Sequence, residues 1–235
     1  MIQKTLNLIR ISPNFSTGQG MTELFRGAIK FYEEDYNNEK SFFESLQEHR
    51  PHTLFITCVD SRIDPNRLTQ SKPGDLYVIR NIGNMIPPCS GNASEDGYLA
   101  VTSSIEYSVC MLGIRSIIVC GHSNCGACAT AYNQDKLEGL PYIKKWLELL
   151  QPTLDEVEKL QPDTEKKKLW LTELHNIQQQ LHNLLSYPFI ESRFNRGELH
   201  IYGWYYNISS GQILNYNLIK QEFAPIVGEL PFEGI

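Results

Sequence analysis

Two cysteines and a histidine stand where two predicted strands end. Cys58 closes an apolar run, and His122 and Cys125 follow the β-branched run at 116–120. Because the carboxyl ends of strands in an open α/β sheet form its ligand-binding edge, we expect these three side chains to meet. Two thiolates and one imidazole suit zinc, and three protein ligands leave the fourth position open for water or substrate. The spacing therefore predicts a catalytic Zn²⁺ site.

Cys128, three residues after Cys125, leaves two alternatives open. It completes a C-x-x-C redox pair, or it supplies the fourth ligand of a closed structural zinc site. The redox alternative is weakened by the histidine three residues before Cys125 and by surroundings unlike a thioredoxin-type helix start. Cys128 also lies about one turn further along the predicted helix, and so points elsewhere than Cys125. The other cysteines are interpreted as small buried or loop thiols: Cys89, Cys110 and Cys120.

An acidic and a basic residue follow Cys58 at a spacing of two. In an extended segment, residues 58, 60 and 62 face the same side. A carboxylate at Asp60 binds a neighbouring metal directly, or it accepts a hydrogen bond from water on that metal. A bidentate pair with Arg62 keeps Asp60 ionised and away from the metal. We therefore predict a catalytic dyad of Asp60 and Arg62, with Asp60 as a fourth ligand only in an inactive state. The alternative is a surface ion pair, worth about 0–1 kcal/mol.

Composition limits the classes of partner. The chain has 235 residues and a net charge of −6, which argues against nucleic acid or an anionic membrane as the main partner. No apolar run reaches the ~18 residues that span a bilayer. Six cysteines follow no small secreted framework, and several lie inside apolar runs, so we expect a reducing, cytoplasmic location.

The order of predicted elements indicates the fold class. Strands are predicted in the apolar run that opens the stretch 53–62, at 75–80 and at 116–120, with helices between them, and a hairpin at 198–206 and 212–216. This order predicts an α/β fold with a mostly parallel central sheet and flanking helices. About four strands are expected to be parallel, with one antiparallel strand at the edge.

The chain is predicted to hold a flexible N-terminal arm, residues 1–20, and a single zinc domain, residues 21–235. Serine, proline and glycine in the arm argue against regular structure. A helix is expected at 22–36, with a wide apolar and aromatic stripe. Such a stripe must be covered by its own core or by another subunit.

The paired motifs resemble those of the β-class carbonic anhydrases. Cys58-x-Asp60-x-Arg62 is followed 60 residues later by His122-x-x-Cys125-Gly126. Further matches are Arg80-Asn81-x-Gly83-Asn84, Ser104-Ile105-Glu106-Tyr107 and Gly203-Trp204-x-Tyr206. The resemblance spans residues 22–220. The first two motifs identify the family specifically when they occur together, although either motif alone is a weak signal.

The resemblance implies zinc held by Cys58, His122 and Cys125, with water in the fourth position beside the Asp60–Arg62 dyad. It implies reversible hydration of carbon dioxide to bicarbonate and a proton through zinc-bound hydroxide. It also implies a homodimer as the minimum unit, or a dimer-based homo-oligomer, in which N-terminal helices wrap the partner.

The resemblance also assigns a substrate pocket. Motif offsets place its two aromatic residues at Tyr77 and Tyr107, and the Gly126 amide at a helix start is expected to support the developing bicarbonate oxygen. Where one subgroup has a glutamine, this sequence has His49. Either Gln47 substitutes, or His49 lines the pocket and relays protons. A second, bicarbonate-inhibited subgroup needs a tryptophan that the N-terminal half lacks, so the first subgroup is favoured.

Two other functions fit the same ligand set. A relative of this fold could hydrolyse carbonyl sulfide or carbon disulfide, with a different route of substrate access. A non-catalytic protein stabilised by structural zinc would make the dyad incidental, and the presence of both Asp60 and Arg62 argues against it.

Overall fold

The computed structural model describes residues 19–94 and 96–228. The chain divides into two compact units, Met1–His49 and Arg50–Ile235. Of the predicted flexible arm, residues 1–18 lie outside the described residues, and the rest is helical.

The described part of the N-terminal unit contains consecutive helical segments. These are α1 (Gln19–Lys30), a π-helical turn (Phe31–Asp35), α2 (Tyr36–Asn38) and α3 (Lys40–Ser45). The predicted helix at 22–36 is therefore present, beginning three residues early. Its apolar stripe is exposed in the single chain: Leu24 is 68% exposed and Ile29 55%.

The C-terminal unit is built on a six-stranded sheet of order β2-β1-β3-β4-β5-β6. Its strands are β1 (Thr53–Cys58), β2 (Leu76–Asn81), β3 (Ser116–His122), β4 (His200–Tyr206), β5 (Ile213–Asn217) and β6 (Glu222–Pro225). The first four in spatial order are parallel, and β5 and β6 are antiparallel to their neighbours. The predicted α/β class with about four parallel strands is confirmed. β6 is an additional edge strand.

Helices flank this sheet. They are α4 (Pro65–Thr69), α5 (Leu99–Glu106), α6 (Gly126–Ala131), α7 (Pro141–Leu147), α8 (Gln151–Lys159), α9 (Glu165–Leu185) and α10 (Pro188–Asn195). Three 3-10 segments and a π-helical one join them: Ile82–Asn84, Gln134–Leu137, Glu148–Leu150 and Tyr107–Met111. Among the described helices, none combines the length and the apolar character that crossing a bilayer requires.

Helix α9 lies unusually close to the sheet, because two strand residues are glycines. A Cβ on Gly121 of β3 would lie 2.8 Å from Ile177, and one on Gly203 of β4 would lie 2.9 Å from both Ile177 and Leu181. Real Cβ atoms essentially never come this close to another atom, so alanine at either position would force the facing side chains of α9, or the helix itself, to shift. Close packing brings α9 next to the carboxyl ends of β3 and β4.

Candidate metal centre

The topology brings the three predicted ligands together at one sheet edge. Cys58 ends β1, His122 ends β3, and β1 and β3 are adjacent and parallel. Cys125 is the N-cap residue of α6, which follows β3. The sulfur and nitrogen atoms of these side chains lie within 4.8 Å of one another, and all three residues are buried. Within the described ranges, no other group of three such side chains lies close enough to hold a metal.

The orientation of the His122 ring fits a metal ligand. Its Nδ1 lies 3.0 Å from the carbonyl oxygen of Ser123, so Nδ1 carries the proton and donates it. The lone pair of the neutral ring is then on Nε2. That nitrogen is buried and has no partner at hydrogen-bonding geometry among the described residues, although the His122 ring also lowers the pKa of the neighbouring Cys58 thiol. A buried polar atom without a partner is costly, and a metal beside the two sulfurs would satisfy it.

Burial and neighbouring thiols raise the pKa of both cysteine ligands. A hydrogen bond with Cys125, followed by burial, raises the pKa of Cys58 to about 12. A hydrogen bond with Cys128, together with burial, raises the pKa of Cys125 to about 12. A metal ion that binds here must displace both protons, so its binding is coupled to pH. Cys128 itself is buried behind Cys125 and is not part of the three-residue cluster.

Asp60 and Arg62 form a bidentate pair beside the cluster. Arg62 Nε donates to Asp60 Oδ1 at 2.9 Å, and Nη2 donates to Oδ2 at 2.7 Å. The Arg62 backbone amide also donates to Oδ1 at 2.9 Å. The guanidinium hydrogen bonds hold the pKa of Asp60 well below its usual range, so its carboxylate stays ionised. Oδ2 lies only 4.0 Å from His122 Nε2, so the carboxylate borders the three candidate ligands.

A second arginine, Arg80, fixes the backbone between the ligand and the dyad. Its Nε donates to the carbonyl oxygen of Cys58 at 3.2 Å, and its Nη2 donates to that of Asp60 at 2.8 Å. Arg62 Nη2 also reaches the carbonyl oxygen of Asn124, in the turn between His122 and Cys125, at 3.1 Å. Sequence analysis noted Arg80 only as part of a motif. The available signal was its place at the end of β2, opposite Thr57 in the register of the sheet.

Of the four predicted pocket residues, two lie side by side and the other two belong to separate elements. The rings of Tyr77 and Tyr107 lie together, with centroids 6.2 Å apart. Tyr77 lines a groove of about 540 Å³ that also includes Val59, the neighbour of Cys58. Gly126 opens α6 directly after Cys125. His49 belongs to the N-terminal unit, and its part in the pocket stays a prediction.

Comparison with known proteins points to one family. The model of the carbonic anhydrase family matches residues 53–213. A carbonic anhydrase of Helicobacter pylori (strain J99) is 44% identical over 211 residues, covering 87% of this chain and 94% of that protein. One from Synechocystis is 39% identical over 210 residues, covering 87% of this chain and 74% of that protein.

Solved structures agree with this assignment. The β-carbonic anhydrase CcaA superposes with a TM-score of 0.82 at 38% identity, covering 88% of this chain and 99% of that one. A tetrameric β-carbonic anhydrase of Sordaria macrospora superposes with a TM-score of 0.72 at 25% identity, covering 83% and 96% of the two chains.

Proposed function

The chain belongs to the β class of the carbonic anhydrases and is an enzyme of that class, and from this premise we propose that it hydrates carbon dioxide reversibly to bicarbonate and a proton at a zinc ion. Cys58, His122 and Cys125 would hold the ion. The observation that supports this most directly is the His122 Nε2 atom, which is buried, unpartnered and grouped with two sulfur atoms. Zinc, when bound, lowers the pKa of a coordinated water toward about 7 and so supplies a nucleophile at neutral pH.

The side chains around the ligands have separate roles in this proposal. Asp60 accepts a hydrogen bond from the reacting water and orients it, because an ionised carboxylate can only accept. Arg62 keeps that carboxylate ionised and fixes its position through two parallel hydrogen bonds. Arg80 donates hydrogen bonds to the backbone carbonyl groups of Cys58 and Asp60, and so it fixes the distance between Asp60 and the ligand Cys58.

Substrate entry is assigned to the aromatic and glycine positions of the pocket. Tyr77 and Tyr107 would border the path of carbon dioxide, which is small and apolar and needs no charged group to bind. The Gly126 amide would donate to the developing bicarbonate oxygen, as backbone amides do in oxyanion holes. His49 is retained as a candidate proton relay. Since all six cysteines are free, a reducing, cytoplasmic location completes the proposal.

One assay tests the reaction. Stopped-flow measurement of carbon dioxide hydration should show a rate that disappears when the metal is removed with a chelator and returns when zinc is added back. The same preparation should be offered carbonyl sulfide and carbon disulfide. Zinc binding with no hydration, or hydrolysis of either sulfur compound at a higher rate than carbon dioxide hydration, would contradict the proposal. A zinc-bound but inactive chain would favour a structural role for the metal.

We further propose a homodimer or a dimer-based oligomer, because the apolar face of α1 is too exposed for a lone chain in water. Leu24→Glu places a charge on that face. We expect dimer affinity to fall by about 100-fold or more, since each of the two copies loses ~1.5 kcal/mol of apolar burial. Sedimentation at micromolar concentration measures it, with Tyr142→Glu, at a residue 90% exposed on α7, as the control. A stable wild-type monomer would overturn this proposal.

A further inference from the structure

Helix α9 carries a row of buried polar side chains for which the proposed reaction has no use. They are Glu173, Asn176, Gln180 and Asn183, spaced three, four and three residues apart. This spacing places them on one face of the helix. Each is at most 6% exposed, and buried polar groups destabilise a fold unless they are hydrogen-bonded. The partners of this row are therefore informative.

Glu173 binds the turn that joins two of the proposed ligands. Its Oε1 accepts a hydrogen bond from the Cys125 backbone amide at 3.0 Å, and the nearby Asn124 backbone amide favours the ionised form of the carboxylate. Its Oε2 accepts from the Tyr205 hydroxyl at 2.8 Å, which fixes the rotation of the carboxylate. Asn124 has a φ of +56°, in the left-handed region that non-glycine residues rarely adopt. Such a backbone persists only where its surroundings hold it, as Glu173 and Arg62 do here.

Asn176, one turn along α9, binds the segment that contacts the other cysteine. Its Nδ2 donates to the carbonyl oxygen of Gly83 at 2.9 Å, and the Gly83 backbone is close enough to the Cys58 thiol to lower the pKa of that thiol. Gly83 has a φ of +76°, and a Cβ there would lie 3.1 Å from that of Ala127 in α6. The peptide is therefore tightly enclosed, and the side chain of Asn176 sets the position of its carbonyl group.

The last two residues of the row are Gln180, which contacts Asn176, and Asn183, which contacts backbone further from the candidate ligands. Gln180 Nε2 donates to Asn176 Oδ1 at 2.8 Å, which orients the amide so that Nδ2 faces Gly83. Gln180 Oε1 accepts from the Ile86 amide at 2.7 Å. Asn183 Nδ2 donates to the Ile86 carbonyl oxygen at 2.7 Å. Asn183 is thus as buried and as well bonded as Asn176, but its backbone partner is three residues beyond Gly83.

From these contacts we propose that Glu173 and Asn176 are positioning residues for the metal, which set the geometry of Cys125 and Cys58 through backbone groups. The packing of Ile177 against Gly121 and Gly203 places α9 close enough for both side chains to reach. The inference rests on the proposed zinc site. It assigns to one helix the control of both sulfur ligands, which come from different parts of the chain.

Zinc affinity and a cobalt spectrum test the assignment without reference to turnover. Wild type, Glu173→Ala, Asn176→Ala and the control Asn183→Ala should each be titrated against a chromophoric chelator. Each should also be loaded with Co²⁺, because sulfur-to-cobalt absorption reports ligand geometry. We expect Glu173→Ala and Asn176→Ala to lower zinc affinity about 10- to 100-fold and to shift the cobalt spectrum. Asn183→Ala should lower thermal stability as much as Asn176→Ala does, yet keep wild-type affinity and spectrum.

Glu173→Gln separates positioning from charge. Glutamine keeps an oxygen for the Cys125 amide, so this variant should restore the affinity and spectrum that Glu173→Ala loses. If Glu173→Ala does not fold, the comparison of Asn176→Ala with Asn183→Ala decides alone. Equal zinc affinities in those two variants, beside a wild type that binds tightly, would overturn this inference and leave the proposed function intact. A wild type that binds no zinc would overturn both.

Discussion

Replacing Arg62 by alanine is expected to abolish most of the activity while zinc stays bound. Without the guanidinium, Asp60 loses both charge-assisted side-chain hydrogen bonds, at 2.9 and 2.7 Å. Its Oδ2 already lies 4.0 Å from His122 Nε2, so the freed carboxylate would be close enough to bind a zinc ion held by that ring in place of the reacting water. We expect the hydration rate to fall by about 100- to 10,000-fold, the range over which acid–base groups contribute. Elemental analysis should still find one zinc per chain.

The chain contains a matched control for this substitution. Arg196 and Glu198 form another bidentate pair two residues apart, with both distances at 2.8 Å. That pair lies before the start of β4, at the end of the sheet away from the ligands. Arg196→Ala breaks the same kind of ion pair and should leave the hydration rate unchanged. Equal losses in Arg62→Ala and Arg196→Ala would mean that the effect is one of general stability.

Asp60→Asn separates the two members of the dyad. The amide is a weaker acceptor than the carboxylate and cannot be drawn onto the metal by charge. Activity should therefore fall as it does in Arg62→Ala, but no extra ligand should appear in the cobalt spectrum. Hydration near the wild-type rate at pH 8 in either variant, with zinc content verified, would contradict the role assigned to the pair.

Much of the fold could be predicted because its signals are local. The strands that carry the ligands are short apolar runs bounded by turn residues, and their parallel pairing follows from the helices between them. Asp64 followed by Pro65 is a pattern typical of a helix start, and the Asp64 side chain accepts hydrogen bonds from two backbone amides of α4. The edge strand of the sheet was harder to predict. The short strand Glu222–Pro225 has mostly exposed side chains, so it lacks the apolar alternation that marks a strand.

The prediction of helix boundaries was wrong where tertiary contacts determine them. The apolar periodicity of residues 95–112 indicates one continuous α-helix, whereas α5 begins at Leu99 and continues after Glu106 as a π-helical segment. Periodicity reports which residues are apolar, but it does not report where hydrogen bonding changes from the α to the π pattern. Such a change depends on what the helix packs against, and that is known only once the chain has folded.

The candidate site shows the same division. Residue type and strand position were enough to predict the grouping of Cys58, His122 and Cys125. The contribution of α9 was not predicted, because Glu173 lies 48 residues from Cys125 in the chain and makes its contact through a backbone amide. Every residue except proline has a backbone amide, so the type of residue 125 does not reveal that its amide binds Glu173. The usable signal was the row of polar residues at helical spacing on an otherwise apolar face, which has to be buried when α9 packs on the sheet.

Replacing Cys58 by serine is expected to remove zinc and activity together. A serine hydroxyl is not deprotonated at pH 7, so it cannot replace a thiolate as a zinc ligand. His122 and Cys125 would remain as two ligands, which do not hold zinc firmly. We expect zinc affinity to fall by several orders of magnitude and the hydration rate to reach that of the chelated wild type. Dialysis followed by elemental analysis measures the first, and stopped-flow hydration measures the second.

Two other cysteines make this result specific. Cys120 is buried in β3 with a pKa that burial raises to about 12, but it is outside the cluster. Cys120→Ser should therefore keep one zinc per chain, although it places a hydroxyl in an apolar site. Cys128→Ser is the sharper comparison, because Cys128 contacts Cys125 without belonging to the three-residue cluster. It should also keep zinc and activity. Loss of zinc in Cys128→Ser to the same degree as in Cys58→Ser would show that the metal has four cysteine and histidine ligands and no open position for water, and the catalytic proposal would then be wrong.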